Sequence, residues 1–219
     1  ILIGRDAGQK TTGRSNVFIG DLAGKVNTTG TTNVMIGDEA GIANTSGSQN
    51  VAIGNTVAHS NTTGSQNVMM GNAAGYKNTT GASNVFIGNQ SGYSNVEGNY
   101  NVFLGYYAGN KSTASYNTFL GYQAGKANTS GANNVFLGYN AGQANTTASN
   151  NVFLGNSAGY TNTTGANNIF LGNSAGYNNT TGGSNVFIGN QSGYTNSEGN
   201  YNVFLGYYAG NKNTASYNT

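Results

Sequence analysis

The sequence predicts an all-β chain, a parallel β-solenoid with 16–17 residues in each coil. Three observations carry that reading. A word of the form Asn-Val-Phe-Leu/Ile-Gly recurs along residues 1–219, its glycine falling at Gly4, Gly20, Gly37, Gly54, Gly71, Gly88, Gly105, Gly121, Gly138, Gly155, Gly172, Gly189 and Gly206. The period is too short for a strand-plus-helix unit, so each repeat must be one turn of a stacked coil. No window spaces its apolar residues as a helix does, and the 36 glycines would each destabilise a helix by ~1 kcal/mol.

Each element of the coil follows from its residues. The Val-Phe-Leu word is β-branched and aromatic, which favours a strand, and glycine ends it. A second word, Ala-Gly-Tyr or a relative, follows three residues later and reads as a second short strand. Asn-Thr-Thr-Gly comes next, and its Asn and Gly suit turns with positive φ. Two short strands and two turns therefore make a coil, with coils stacking about 4.8 Å apart into a rod of roughly 60 Å. The steps are 17 residues except those beginning at Gly4, Gly105 and Gly206, which are one shorter. A six-coil superrepeat of 101 residues thus overlies the basic one, and residues 84–117 recur at 185–218 with three substitutions. The whole of 1–219 reads as a single repeat region. Because it opens on Ile1-Leu2-Ile3-Gly4, mid-repeat, it also reads as a piece of a longer fibre protein.

Alternate strand residues face opposite ways. Val and Leu/Ile, joined by the small Ala of the next word, suit a narrow lumen. That assignment turns Phe18, Phe86, Phe103, Phe119, Phe136, Phe153, Phe170, Phe187 and Phe204 outward, with Met35, Ala52 and Met69 as substitutes. An exposed apolar stripe of that length exceeds what soluble monomers show. Self-association would cover it, and three rods around one axis would give a homotrimer with these rings as its interface. A lumen wide enough to take both sets of side chains would instead leave a monomer.

Composition excludes several classes of function. Eight basic and six acidic residues give a net charge of +2 with no basic stripe, which argues against nucleic-acid binding. There is no cysteine, and no apolar run approaches the ~20 residues of a membrane-spanning helix, so no membrane contact by this segment is expected. Calcium-binding solenoids need a carboxylate in each coil, and six acids are too few. Asp38 and Glu39 are the one adjacent acidic pair, and consecutive strand residues diverge. His59, the one histidine, reads as a substituted surface position without carboxylate or thiol partners. No enzyme activity, metal or cofactor is expected.

The word Asn84-Val85-Phe86-Ile87-Gly88 and, closest, Asn50-Val51-Ala52-Ile53-Gly54 resemble the head repeat of trimeric autotransporter adhesins, coil after coil. That resemblance implies a left-handed parallel β-roll, three chains wide, at the tip of a bacterial surface fibre that binds host or matrix molecules. Similar Asn-Thr-Thr-Gly repeats occur in bacterial tail-fibre-like proteins. The coils here are about three residues longer than the adhesin coil, with the excess in the Asn-Thr-Thr-Gly turn, and Phe stands where the adhesins have Ala.

Three sets of polar and aromatic residues are candidates for binding. Asn opens the strand word from Asn16 through Asn218 and reads as a coil-to-coil hydrogen-bond ladder. Tyr76, Tyr93, Tyr160, Tyr177 and Tyr194 sit five residues after the glycine; Tyr106, Tyr122, Tyr139 and Tyr207 sit directly after it. Such rows serve as binding surfaces for a glycan, matrix or cell-surface ligand, or as cross-coil stacks that stabilise the sheet. Asn27, Asn61, Asn78, Asn145, Asn162 and Asn179 each open an Asn-Thr-Thr that fits N-glycosylation as well as a turn. The expected function is the adhesive head or shaft of an extracellular bacterial surface fibre. A structural filament without a receptor, and an ice-binding solenoid using the threonines, are the alternatives.

Overall fold

The computed structural model describes all residues, 1–219, and contains thirteen strands and no helix. Its contacts divide the chain into two compact units, Ile1–Ser115 and Tyr116–Thr219. Each is a parallel β-solenoid. The first unit holds β1 (Leu2–Ile3), β2 (Val17–Ile19), β3 (Val34–Ile36), β4 (Val51–Ile53), β5 (Val68–Met70), β6 (Val85–Ile87) and β7 (Val102–Leu104). The second holds β8 (Thr118–Leu120), β9 (Val135–Leu137), β10 (Val152–Leu154), β11 (Ile169–Leu171), β12 (Val186–Ile188) and β13 (Val203–Leu205). Pairing is between like residues: Val85, Phe86 and Ile87 face Val102, Phe103 and Leu104, and Val152, Phe153 and Leu154 face Ile169, Phe170 and Leu171. The repeat thus sets the register, since any slip would break every equivalent column at once.

Each coil has one strand, where the sequence predicted two. The Ala-Gly-Tyr word forms turns because two of its neighbouring positions take positive φ: Ser157 lies at 54° and Gly159 at 58°, for example. These angles bend the chain too sharply for a strand, yet coil-to-coil hydrogen bonds persist, as in Gly142 N–H to Ala158 O at 2.9 Å. The strand-closing glycines, with φ of 124–139°, allow a close approach between coils: a Cβ on Gly155 would lie 2.6 Å from the carbonyl carbon of Gly172.

The lumen corrects the reading of the strand faces. Phe18, Phe86, Phe103, Phe119, Phe136, Phe153, Phe170 and Phe187 have no exposed surface, and Phe204 is 7% exposed; all nine lie inside a single chain rather than on an interface. The physical reason is the wall opposite the ring. Every Phe faces a glycine whose absent Cβ makes room for it; a Cβ on Gly142 would fall 2.6 Å from the Phe136 ring. A three-residue strand also points one side chain inward and two outward, so one large ring fills each coil while Val and Leu/Ile face out. The rings stack within each unit, with centroids 5.0 Å apart for Phe86 and Phe103 and 4.8 Å for Phe136 and Phe153. Burying each one contributes about 1.5–3 kcal/mol.

One coil shows the fit by breaking the pattern. Ala52 replaces the ring there, and the two positions facing it change as well: Val57 stands for Ala and Ala58 for Gly, all three buried. Larger wall residues refill the space the smaller strand residue leaves, and Met35 and Met69 pack from the adjoining coils around a small residual cavity.

Two buried asparagine ladders complete the core. Within each unit the backbone N–H of a strand-opening Asn donates to the Oδ1 of the Asn one coil earlier, Asn33 to Asn16 at 2.9 Å and Asn168 to Asn151 at 2.8 Å. Its own Nδ2 donates to a turn carbonyl of the following coil, as in Asn33 to Gly47 O at 2.8 Å. The predicted ladder is therefore present, built mainly of backbone-to-side-chain bonds. The turn asparagines form a second ladder, amide to amide: Asn44 Nδ2 donates to Asn27 Oδ1 at 2.7 Å and Asn162 Nδ2 to Asn145 Oδ1 at 2.9 Å.

Candidate binding faces

With the rings inside, the apolar columns on the surface are those of the outer strand residues. In the second unit Val135 and Leu137, Val152 and Leu154, Ile169 and Leu171, and Val186 and Ile188 stand half-buried to exposed in two parallel columns without a charge. The first unit carries the same columns, from Val17 and Ile19 to Val102 and Leu104. This face was missed because a strand apolar on both sides does not reveal its inner side by alternation. The signal that identifies it is the glycine four residues after the strand-closing glycine, which opens space for a ring, and its change to Ala58 in the one coil where Ala52 replaces the ring.

The tyrosines do form the ladders their spacing predicts. Tyr76 and Tyr93 stack at 5.1 Å between centroids, Tyr160 and Tyr177 at 5.0 Å, Tyr177 and Tyr194 at 5.2 Å, and Tyr122 and Tyr139 at 5.0 Å. Tyr106 packs tilted against Tyr107, and Tyr207 meets Tyr208 edge-on. Stacking has a chemical consequence: ring faces are used on each other. Tyr177 has a ring on both sides, so its edge and hydroxyl are what it can offer a ligand. Burial first, and then the flanking phenols of Tyr160 and Tyr194, push the Tyr177 hydroxyl above the ordinary tyrosine range. A hydrogen bond with Tyr208 is the main cause that raises Tyr207. Tyr106, Tyr122, Tyr139 and Tyr207 are the more exposed members. Sequence reasoning passed over Tyr201 and Tyr217, which stack at 5.1 Å on the edge where φ is positive.

The threonines divide by column. The first Thr of each turn donates its Oγ1 to the next coil, Thr45 to Thr62 O at 3.0 Å and Thr146 to Thr163 O at 3.1 Å. The second Thr, such as Thr63 or Thr164, is exposed. The six asparagines of the Asn-Thr-Thr triplets are at most 2% exposed and belong to the lumen ladder.

Charged groups gather in the first coils, and several of them are paired. Arg5 forks onto Asp21 at 2.6 and 2.8 Å; that hydrogen bond is the first cause raising Arg5 and lowering Asp21 from their ordinary values. Lys25 reaches Asp6 at 3.2 Å. His59, expected to lack a carboxylate partner, has Glu39 Oε2 3.5 Å from its Nε2 and stacks on Tyr76 at 4.7 Å. Glu39 lies one coil away, a proximity visible only once the coil is closed. No group of three or more His, Cys, Asp or Glu could hold a metal, and no helix is long and apolar enough to cross a membrane. No known protein family, characterised protein or solved structure matches the chain.

Proposed function

We propose that the chain is the repetitive head or shaft segment of an extracellular bacterial surface fibre, in which copies associate as a homotrimer through the outward Val and Leu/Ile columns. One observation carries the reading: an uncharged face, apolar in every coil except at Thr118, repeats along the chain, and water alone is a poor partner for it. The likeness of the Asn-Val-Phe-Leu-Gly word to the trimeric adhesin head supports the same assembly. Its mechanism is multivalent, with weak contacts repeated at coil spacing and multiplied by avidity. The ligand contacts fall on the tyrosine rows, through phenol edges and hydroxyls, which suits hydrogen-bonding glycans or matrix polymers.

A structural filament without a receptor is the second reading, favoured by the mutual covering of the tyrosine faces. Sedimentation velocity of the purified chain, followed by binding to immobilised glycans and matrix proteins, separates the possibilities. A trimer that binds is the expected result. A trimer or polymer that binds nothing selects the filament, and a monomer across the whole concentration range refutes both.

A further inference from the structure

Eight turn asparagines stand first in an Asn-Thr-Thr or Asn-Thr-Ser triplet, four in each unit, from Asn27 to Asn78 and from Asn128 to Asn179. In an unfolded chain each is an acceptor for N-linked glycosylation. In the folded chain each is at most 2% exposed. The case of Asn162 is typical: its Nδ2 donates to Asn145 Oδ1 at 2.9 Å and to Gly165 O at 3.0 Å, so both amide hydrogens are in use. Glycosyl transfer forms a bond from that nitrogen to the anomeric carbon of a sugar. One amide proton is lost, and the pyrophosphate of a polyprenyl-linked donor leaves. The product has one hydrogen fewer for the ladder and a hexose where the lumen holds only close-packed amide and turn backbone. A Cβ added at Gly165 already falls 2.6 Å from Asn162 Oδ1.

We infer that N-glycosylation at these asparagines and folding exclude each other, so a secretory pathway that glycosylates nascent chains is closed to this protein. The inference stands apart from the fibre reading, since it needs neither a partner nor a ligand. Four other triplets, beginning at Asn89, Asn110, Asn178 and Asn190, keep their Asn partly exposed outside the lumen and serve as an internal control: sugar there is compatible with the fold.

The test expresses the full chain in a glycosylating eukaryotic secretory pathway and in bacterial cytosol. Mass spectrometry maps the sugars, while protease resistance and thermal melting report folding. A variant with alanine at the exposed third position of all eight triplets, such as Thr164→Ala, removes the acceptor signals without touching the ladder. Blocking synthesis of the lipid-linked donor is a second arm that needs no substitution. The wild-type chain from the secretory host should carry sugar on turn asparagines, digest readily and show no cooperative melt. The variant, which keeps acceptors only at the four control asparagines, and the wild type made under donor blockade should match the bacterial product in protease resistance and thermal melting. Secretion of the wild type in folded form, with or without sugar on those asparagines, overturns the inference. So does an unblocked failure, in which neither the variant nor the donor blockade restores folding in that host.

Discussion

Twenty-seven residues other than glycine have positive φ, and all but Ala58 fall in two columns of the coil. Such angles cost roughly 1–2 kcal/mol for an L residue, and more trouble the β-branched ones. Their regular placement shows that the coil imposes them, while each column accepts whatever the turn tolerates: Asn133, Asn150 and Asn167 in one coil after another, but Thr32 and Tyr201 at equivalent places. Thr32 is exposed at φ 59° and its N–H donates to Arg14 O at 3.1 Å, a bond any residue keeps. Thr32→Asn should therefore stabilise the protein by about 1 kcal/mol, raising Tm by roughly 2–4 °C for a chain of this size. Thermal melts of the two proteins decide it; an unchanged or lower Tm would mean that the angle carries no strain. These positions were invisible in the sequence, because Ser, Gln, Tyr, Thr and Asn share no propensity that marks a left-handed turn.

At the scale of the coil, the strand word and the ladder of strand-opening asparagines were legible, since β-branched residues, glycine punctuation and a fixed period all point to stacked strands; the turn asparagines, expected to suit positive φ, lie instead at negative φ in a buried ladder of their own. The inward direction of Phe was not, because it depends on a residue six positions away in the same coil. Gly159 opposite Phe153 and Ala58 opposite Ala52 form one steric unit, and reading them separately loses it. Ala52→Phe alone should thus cost about 1–3 kcal/mol through overpacking against Val57 and Ala58. Combined with Val57→Ala and Ala58→Gly it should fold at least as stably as the parent, and denaturant midpoints of the single and triple variants measure the coupling. A single variant as stable as the triple would show that the lumen is loose there. The tyrosine ladder gives an alkaline prediction of its own. Tyr177 holds its proton more tightly folded than unfolded, so its contribution is complete below the unfolded tyrosine pKa of about 10 and is lost as pH rises through the higher folded value. Tyr177→Phe should flatten the loss of stability above pH ~10, read from denaturation at a series of alkaline pH values. An identical pH profile in the variant would remove Tyr177 from that role.

Across whole molecules, the outward columns raise a question of area. Two side chains in a strand, one residue apart, span about 7 Å, and coils rise about 4.8 Å, so each coil offers a footprint of roughly 34 Å². Six coils give roughly 200 Å², well under the ~800 Å² per partner of a stable interface. Association must therefore recruit the flanking columns and accumulate over many coils, with no coil acting as an anchor. That distinguishes a seam from a hot spot. Lysine at Val152 and Leu154 should weaken the association constant roughly tenfold, since covering the exposed part of two such side chains is worth about 1–2 kcal/mol. Extending the change to Val135 and Leu137, and then to Ile169 and Leu171, should repeat that factor each time, while circular dichroism stays unchanged because these side chains point away from the lumen. Sedimentation equilibrium across the series reads the steps. Complete dissociation from the first pair alone would mean a localised anchor, and no effect from all three would mean that copies meet on some other face.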